Sequence, residues 1–149
     1  GVIYDPLQDE LFSAELNGGA CLNNKKIKHN DAGDPIKQTI SLERGEGIKG
    51  KERLAKIFCQ MTTATRSIRI PGATALNLAH LADNRFDALI NSDCNFYDCA
   101  AGCLIAQEAG VAVTDFSGKK WQLKGDQQTD ILAADKKYIH QYVRLLKNV

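Results

Sequence analysis

A two-residue alternation of apolar and polar positions opens the chain. Val2–Asp5 and Glu10–Glu15 read as strands joined by Pro6–Asp9. In the second, Leu11 and Ser13 share one face while Phe12 and Ala14 share the other. Asn17-Gly18-Gly19 and Asn23-Asn24 are turn signals, with short strands at Ala20–Leu22 and Lys26–Lys28. A meander this short is marginal alone and leaves an unpaired edge. Residues 1–28 are therefore expected to pair with another chain, or to be poorly ordered.

The pattern changes after the polar connection from His29 to Pro35. Thr39–Glu43 reads as a strand and the glycine-rich Gly45–Gly50 as a loop. Leu54, Ile57, Phe58 and Met61 then recur at helical spacing, with Lys51, Glu52, Arg53 and Lys56 turned to solvent. Thr65–Ile70 is a strand that Pro71-Gly72 breaks. The next helix starts near Ala73 or Thr74 and runs to about Asp83, with Ala75, Leu78, Ala79 and Ala82 inward. Arg85–Ile90, Val111–Asp115 and Asp130–Ala134 are further strands, and Phe116–Gln128 is a loop carrying the only Trp, Trp121. Asp135 is placed to cap a last helix striped by Ile139, Tyr142, Val143 and Leu146. Strands alternating with helices predict an α/β layer with helices on both faces of a sheet.

Between Asn91 and Gly110 lies the stretch with most chemistry. Asp98 is a preferred N-cap type, and Ala100, Ala101 and Gly102 let a helix lie close to a neighbour. Ala101, Leu104, Ile105 and Glu108 share a face, and Gly110 sits where a left-handed C-terminal cap belongs. A carboxylate at a helix N-terminus can cap, and it can also hold a cation near an anion drawn by the helix dipole. Pro71-Gly72 before a helix likewise leaves N–H groups for a polar ligand, or is an ordinary turn capped by Thr74.

Composition narrows the field. The 149 residues are 44% hydrophobic with net charge +1, which points to neither nucleic acid nor an anionic membrane surface. No apolar run has the length of a membrane span, and no signal segment is visible. The five Cys residues include no C-x-x-C pair, and His29, His80 and His140 are scattered. Reduced, mostly buried thiols in a cytoplasmic protein are expected, with no zinc site or disulfide framework.

Tyr97-Asp98-x-Ala-Ala-Gly102, followed by Glu108-Ala109-Gly110, resembles the W-D-x-A-A-G…E-A-G-G motif of the inositol monophosphatase family. Gly1–Pro6 through Gly18–Asn23 resembles that family's hairpins after its first metal motif. Arg69-Ile70-Pro71-Gly72-Ala73-Thr74-Ala75 resembles its R-x-x-G-[ST]-A-A helix start. The resemblance covers nearly the whole chain. It implies an α/β fold: a C-terminal αβα layered domain over residues 31–149, preceded by antiparallel hairpins over 1–30 that belong to the sheet of an N-terminal half.

The implied activity is Mg²⁺-dependent hydrolysis of a small-molecule phosphate monoester, inositol monophosphate first, by a cytoplasmic homodimer. Asp98 would be catalytic, a metal ligand and a substrate contact, and Gly72, Ala73, Thr74 and Asn91 would bind substrate. The family's D-P-[IL]-D-G-T motif and upstream Gly-Glu-Glu, which supply its other metal ligands, do not occur in these residues. The chain therefore reads as a C-terminal piece, inactive alone because one carboxylate offsets little of the dehydration cost of Mg²⁺. Tyr97 replaces the motif's Trp, Val111 its second Gly, and Asn91 the Glu of inositol-selective members, while Ala73-Thr74 inverts the usual order. These departures admit fructose bisphosphate or a nucleotide 3′-phosphate as substrate, with Arg66 and Arg69 as candidate contacts to the extra group. They also admit a non-catalytic, partner-binding member of the family.

Overall fold

The computed structural model describes residues 1–31, 33–43, 47–122, 128–147 and 149. Four strands, β1 (Val2–Asp5), β2 (Glu10–Glu15), β3 (Gly19–Leu22) and β4 (Lys25–Ile27), form an antiparallel meander in chain order. Its tight turns use left-handed residues that tolerate that region, Asn17, Gly19, Asn23 and Asn24 among them. The meander is ordered against its own chain. Phe12, Ala14 and Ala20 are buried with Ala79, Ala82, Ile105 and Ala109 of the helices below. That burial supplies the support an isolated meander would lack.

After a single 3₁₀ turn (Pro35–Lys37), the second sheet is built from β5 (Thr39–Glu43), β6 (Ser67–Arg69), β7 (Ala88–Cys94), β8 (Ala112–Thr114) and β9 (Thr129–Ala134). Its order is β6-β5-β7-β9-β8. The β6, β5 and β7 strands run parallel, whereas β9 is antiparallel to both β7 and β8. Helices α2 (Thr74–Ala82) and α3 (Phe96–Glu108) lie between the two sheets, and α1 (Gly47–Ala64) and α4 (Ile139–Leu146) cover the far face. Strand alternation divides the interior. Ala88, Ile90, Leu132 and Ala134 pack with α1 and α4, while Leu89, Ile131 and Ala133 pack with α2 and α3. A central strand buried on both faces carries few polar breaks, as β7 does up to Ile90.

Several boundaries differ from expectation. The first helix begins at Gly47, inside the expected loop, where burial of Gly50 outweighs its weak helix propensity; residues 45 and 46 lie outside the described set. Phe58 is 42% exposed, so the buried stripe of α1 is narrower than its spacing suggests. Thr65 still closes α1 through its N–H and hydroxyl to the Met61 carbonyl, which shortens β6. The strand expected at Arg85–Ile90 is shifted to Ala88–Cys94, because buried Asn91 and Ser92 stay in the ladder.

Asp98 is not the N-cap of α3. Asn95 holds the extended cap position, and Asp98 is the third helical residue. Thr74 is not the cap of α2 either, since Ala73 takes that place without a side-chain bond. Asp135 organises the turn before α4, accepting from the N–H groups of Tyr138 and Ile139 at its carbonyl and from Lys137 at Oδ1, while Tyr138 precedes the helix. Gly110 does adopt the left-handed cap, with φ 101°. No helix among the described residues is long and apolar enough to cross a membrane.

Candidate active site

Parallel β5 and β7 end side by side, at the edge where open α/β sheets commonly bind ligands. An open cavity of about 590 Å³ lies there. Its wall includes Gly72, Ala73, Thr74, Asn91 and Asp98, the five residues expected to meet the substrate or metal itself. The turn before α2 and the first turn of α3 face each other across it, and Ile3 and Tyr4 of the meander close one side.

Asp98 is exposed, and its carboxylate meets only a long contact from Asn95 Nδ2, 3.4 Å, among the described residues. Its lone pairs are thus open to a ligand. Asn91 is 2% exposed. Its Nδ2 donates to Thr74 Oγ1 at 2.9 Å, which leaves the Thr74 proton free to point elsewhere. Asn91 Oδ1 is buried and has no partner among the described residues. A buried acceptor without a donor costs about 1–3 kcal/mol, so its position on a cavity wall is suited to a ligand hydroxyl.

Three further groups shape the site and were not singled out from sequence. Glu43 ends β5, is 3% exposed, and reaches the cavity wall. Its Oε1 accepts from Ser41 Oγ at 3.0 Å and Asn77 Nδ2 at 2.5 Å. Burial raises its carboxyl above the usual carboxylate range, opposed by hydrogen bonds from Ser41, Asn77 and the Gly72 backbone. A lone carboxylate closing the apolar run of β5 was a usable signal. Asp93 lines the cavity at a left-handed φ of 56°, beside the irregular pairing of β7 with β9. Arg53, expected to be solvated, instead reaches Asp93 at 3.2 Å and Asp130 at 2.7 and 2.6 Å. No local pattern marks that reach, because its partners lie 40 and 77 residues away.

The thiols fit a different role from the carboxylates. Cys94 and Cys99 both donate to the Asn95 carbonyl at 3.3 Å. The contact with Cys99 together with burial pushes the Cys94 thiol up, burial does the same for Cys103, and the contacts with Cys103 and Cys94 push the Cys99 thiol down. Sulfur is a soft donor, suited to soft metal ions rather than to hard divalent cations. Away from the cavity, Asp5, Glu10 and His80 cluster, but Arg85 already occupies that charge, donating to both Glu10 oxygens at 2.7 and 2.6 Å and lying 3.2 Å from His80 Nε2. Arg66 and Arg69 are exposed and do not line the cavity.

The sequence model of the inositol monophosphatase family matches residues 1–148. The chain belongs to the inositol monophosphatase family. Among its relatives, the Nus factor SuhB of Vibrio cholerae is 40% identical over 121 residues, 78% of this chain and 44% of that protein. The fructose-1,6-bisphosphatase/inositol-1-monophosphatase of Thermotoga maritima is 37% identical over 122 residues, 80% of this chain and 45% of that protein. The inositol monophosphatase structure from Anabaena superposes with a TM-score of 0.88 at 30% identity, covering 100% of this chain and 60% of that one. The Thermotoga maritima IMPase structure gives 0.87 at 28%, covering 99% and 55%. This family member thus spans about half the length of the relatives it matches. Its two sheets and four helices share their fold, and the family places it in a phosphatase superfamily.

Proposed function

We propose that the site hydrolyses a small phosphate monoester, inositol monophosphate first, with Mg²⁺, in a protein whose remaining metal ligands lie beyond these 149 residues. The observation that carries this reading is the meeting of open Asp98 with the Asn91–Thr74 pair in one cavity. Asp98 offers hard oxygen donors free of strong internal partners, which suits Mg²⁺ better than the soft sulfur atoms nearby. When bound, the metal would polarise the phosphate and lower the pKa of water.

Each residue of this chain then has a task. Asp98 holds the metal and accepts from a substrate hydroxyl. Asn91 Oδ1 accepts a second hydroxyl, and the Thr74 hydroxyl donates. The start of α2 from Ala73 onward, which lacks a side-chain cap, presents N–H groups to a polar substituent, and left-handed Gly72 shapes the turn that leads to it. The reading carries a cytoplasmic homodimer with it. The 149 residues alone are inactive on this account.

The test is phosphate release from inositol 1-phosphate with Mg²⁺, by this chain and by a form extended upstream through the missing ligands, each with and without Asp98→Asn. Release by the extended form, abolished in its variant, supports the reading. Asp98-dependent release by the 149 residues alone would overturn the account of missing ligands. Release only from fructose bisphosphate or a nucleotide 3′-phosphate would keep the chemistry and change the substrate. The SuhB relatives carry the name Nus factor, which favours a second reading as a partner-binding member. No release from any ester, with the upstream Asp residues missing from the extended sequence, would favour that reading.

A further inference from the structure

The turn that carries Gly72, Ala73 and Thr74 has little packing to hold it. Gly72 has φ 82°, and a Cβ built there would meet nothing within 4 Å. Pro71, Gly72 and Ala73 are exposed, and the cap position of α2 makes no side-chain bond. A segment so open should be mobile unless hydrogen bonds fix it. Those bonds converge on Glu43. Its buried carboxylate accepts from Ser41 on its own strand and from Asn77 in α2, and the Gly72 backbone N–H faces it closely enough to favour its charged form. Asn77 is itself buried, and its N–H bonds to the Ala73 carbonyl at 2.8 Å. One carboxylate therefore ties the end of β5 to α2 just past the turn and faces the Gly72 N–H before it.

We infer that Glu43 is a positioning residue that holds the Gly72–Thr74 turn in its ligand-ready conformation. This deepens the phosphatase reading and rests on it for the identity of the ligand. The geometry of the tether stands apart from that identity. Glu43 touches neither substrate nor metal in this account. It acts on binding through Gly72 and through Asn77, and the fixed turn keeps the Thr74 hydroxyl aligned with Asn91.

Two measurements on three variants test it. Amide hydrogen exchange of this chain is followed by residue in the wild type, Glu43→Ala, Glu43→Gln and Asn77→Ala. Exchange in residues 72–75 should accelerate about tenfold or more in Glu43→Ala and Asn77→Ala, with β7 and β9 unchanged. Glu43→Gln keeps an acceptor oxygen and should fall between. In the phosphate-releasing form, Glu43→Ala should raise KM about tenfold and leave kcat within twofold. Unchanged exchange at 72–75, or equal acceleration throughout the second sheet in the isosteric Glu43→Gln, would overturn the inference. A kcat loss with KM unchanged would do so too. Absence of phosphate release from every form would sink the phosphatase reading, and the exchange data would still decide the tether.

Discussion

Arg53 on α1 grips Asp130 on β9 with both guanidinium nitrogens, at 2.7 and 2.6 Å, and reaches Asp93 on β7 at 3.2 Å. The guanidinium also lies 5.0 Å from the centre of the Phe116 ring. Asp130 in turn accepts from the Asp93 N–H at 3.2 Å, at the point where the β7–β9 register shifts. The ion pair thus fixes the irregular end of β7, from which the chain enters α3 and delivers Asp98.

Replacing Arg53 with Met keeps much of its apolar stem and leaves two carboxylates without their cation. Both sides of the Arg53–Asp130 pair are only about a quarter exposed, at 25% and 22%. Bidentate geometry raises the loss above an ordinary surface pair, while residual hydration limits it to about 1–2 kcal/mol. Urea unfolding of Arg53→Met should show that loss, and Arg53→Lys should recover only part of it. A midpoint equal to wild type for both variants would refute the clamp.

Gly102 governs the approach of α2 and α3. A Cβ there would fall 2.6 Å from Leu78 Cβ, 2.9 Å from Leu78 Cδ1 and 3.1 Å from the Ala75 carbonyl. Ala normally favours a helix over Gly by about 1 kcal/mol. Here the clash involves a fully buried leucine and backbone, neither free to move away. Gly102→Ala should therefore destabilise by about 1–3 kcal/mol, the usual cost of overpacking. Thermal unfolding decides the sign, and a stabilised variant would mean the helices can separate cheaply.

That close approach was legible in the Ala100, Ala101, Gly102 run, as were the period-two faces of β2 and the stripe of α4. Local spacing reports which side of an element is apolar, and that is enough for such features. It does not report partners. Arg53 was read as a solvated residue because its helix neighbours are charged, and only the fold brings Asp93 and Asp130 to it. Polar residues inside β7 misplaced that strand, since Asn91, on the cavity wall, and Ser92 beside it are buried against the apolar rule. Asp98 looked like a cap by residue type, yet the cap fell to Asn95, three residues earlier, leaving the Asp98 side chain to the cavity.

Glu43 gives stability a specific pH dependence. Burial raises its folded-state pKa above the ordinary 4.5, so the folded chain holds the proton more tightly than the unfolded chain. Its contribution is fully present below that unfolded value. It is lost as pH rises from there through the folded pKa. Glu43→Gln cannot titrate, and its unfolding free energy should lack this decline. The difference between variant and wild type, measured by urea unfolding from pH 4 to 7, should therefore shift in favour of the variant as pH rises. Parallel curves would show that the carboxyl keeps its ordinary pKa.

Asn91 and Thr74 should act on substrate as a unit. Asn91 Nδ2 donates to Thr74 Oγ1 at 2.9 Å, so losing either side chain would remove a proposed substrate contact and free the other to rotate. In the phosphate-releasing form, Asn91→Ala should raise KM for inositol 1-phosphate about tenfold, the loss expected of one net hydrogen bond. Thr74→Val should raise it by a similar factor. Were the two contacts independent, the double variant would multiply the effects to about a hundredfold. Because each single change already disorders the pair, the double variant should stay within a few-fold of either one. A fully multiplicative result would show that Asn91 and Thr74 meet the substrate separately, and an unchanged KM in Asn91→Ala would remove its Oδ1 from substrate binding altogether.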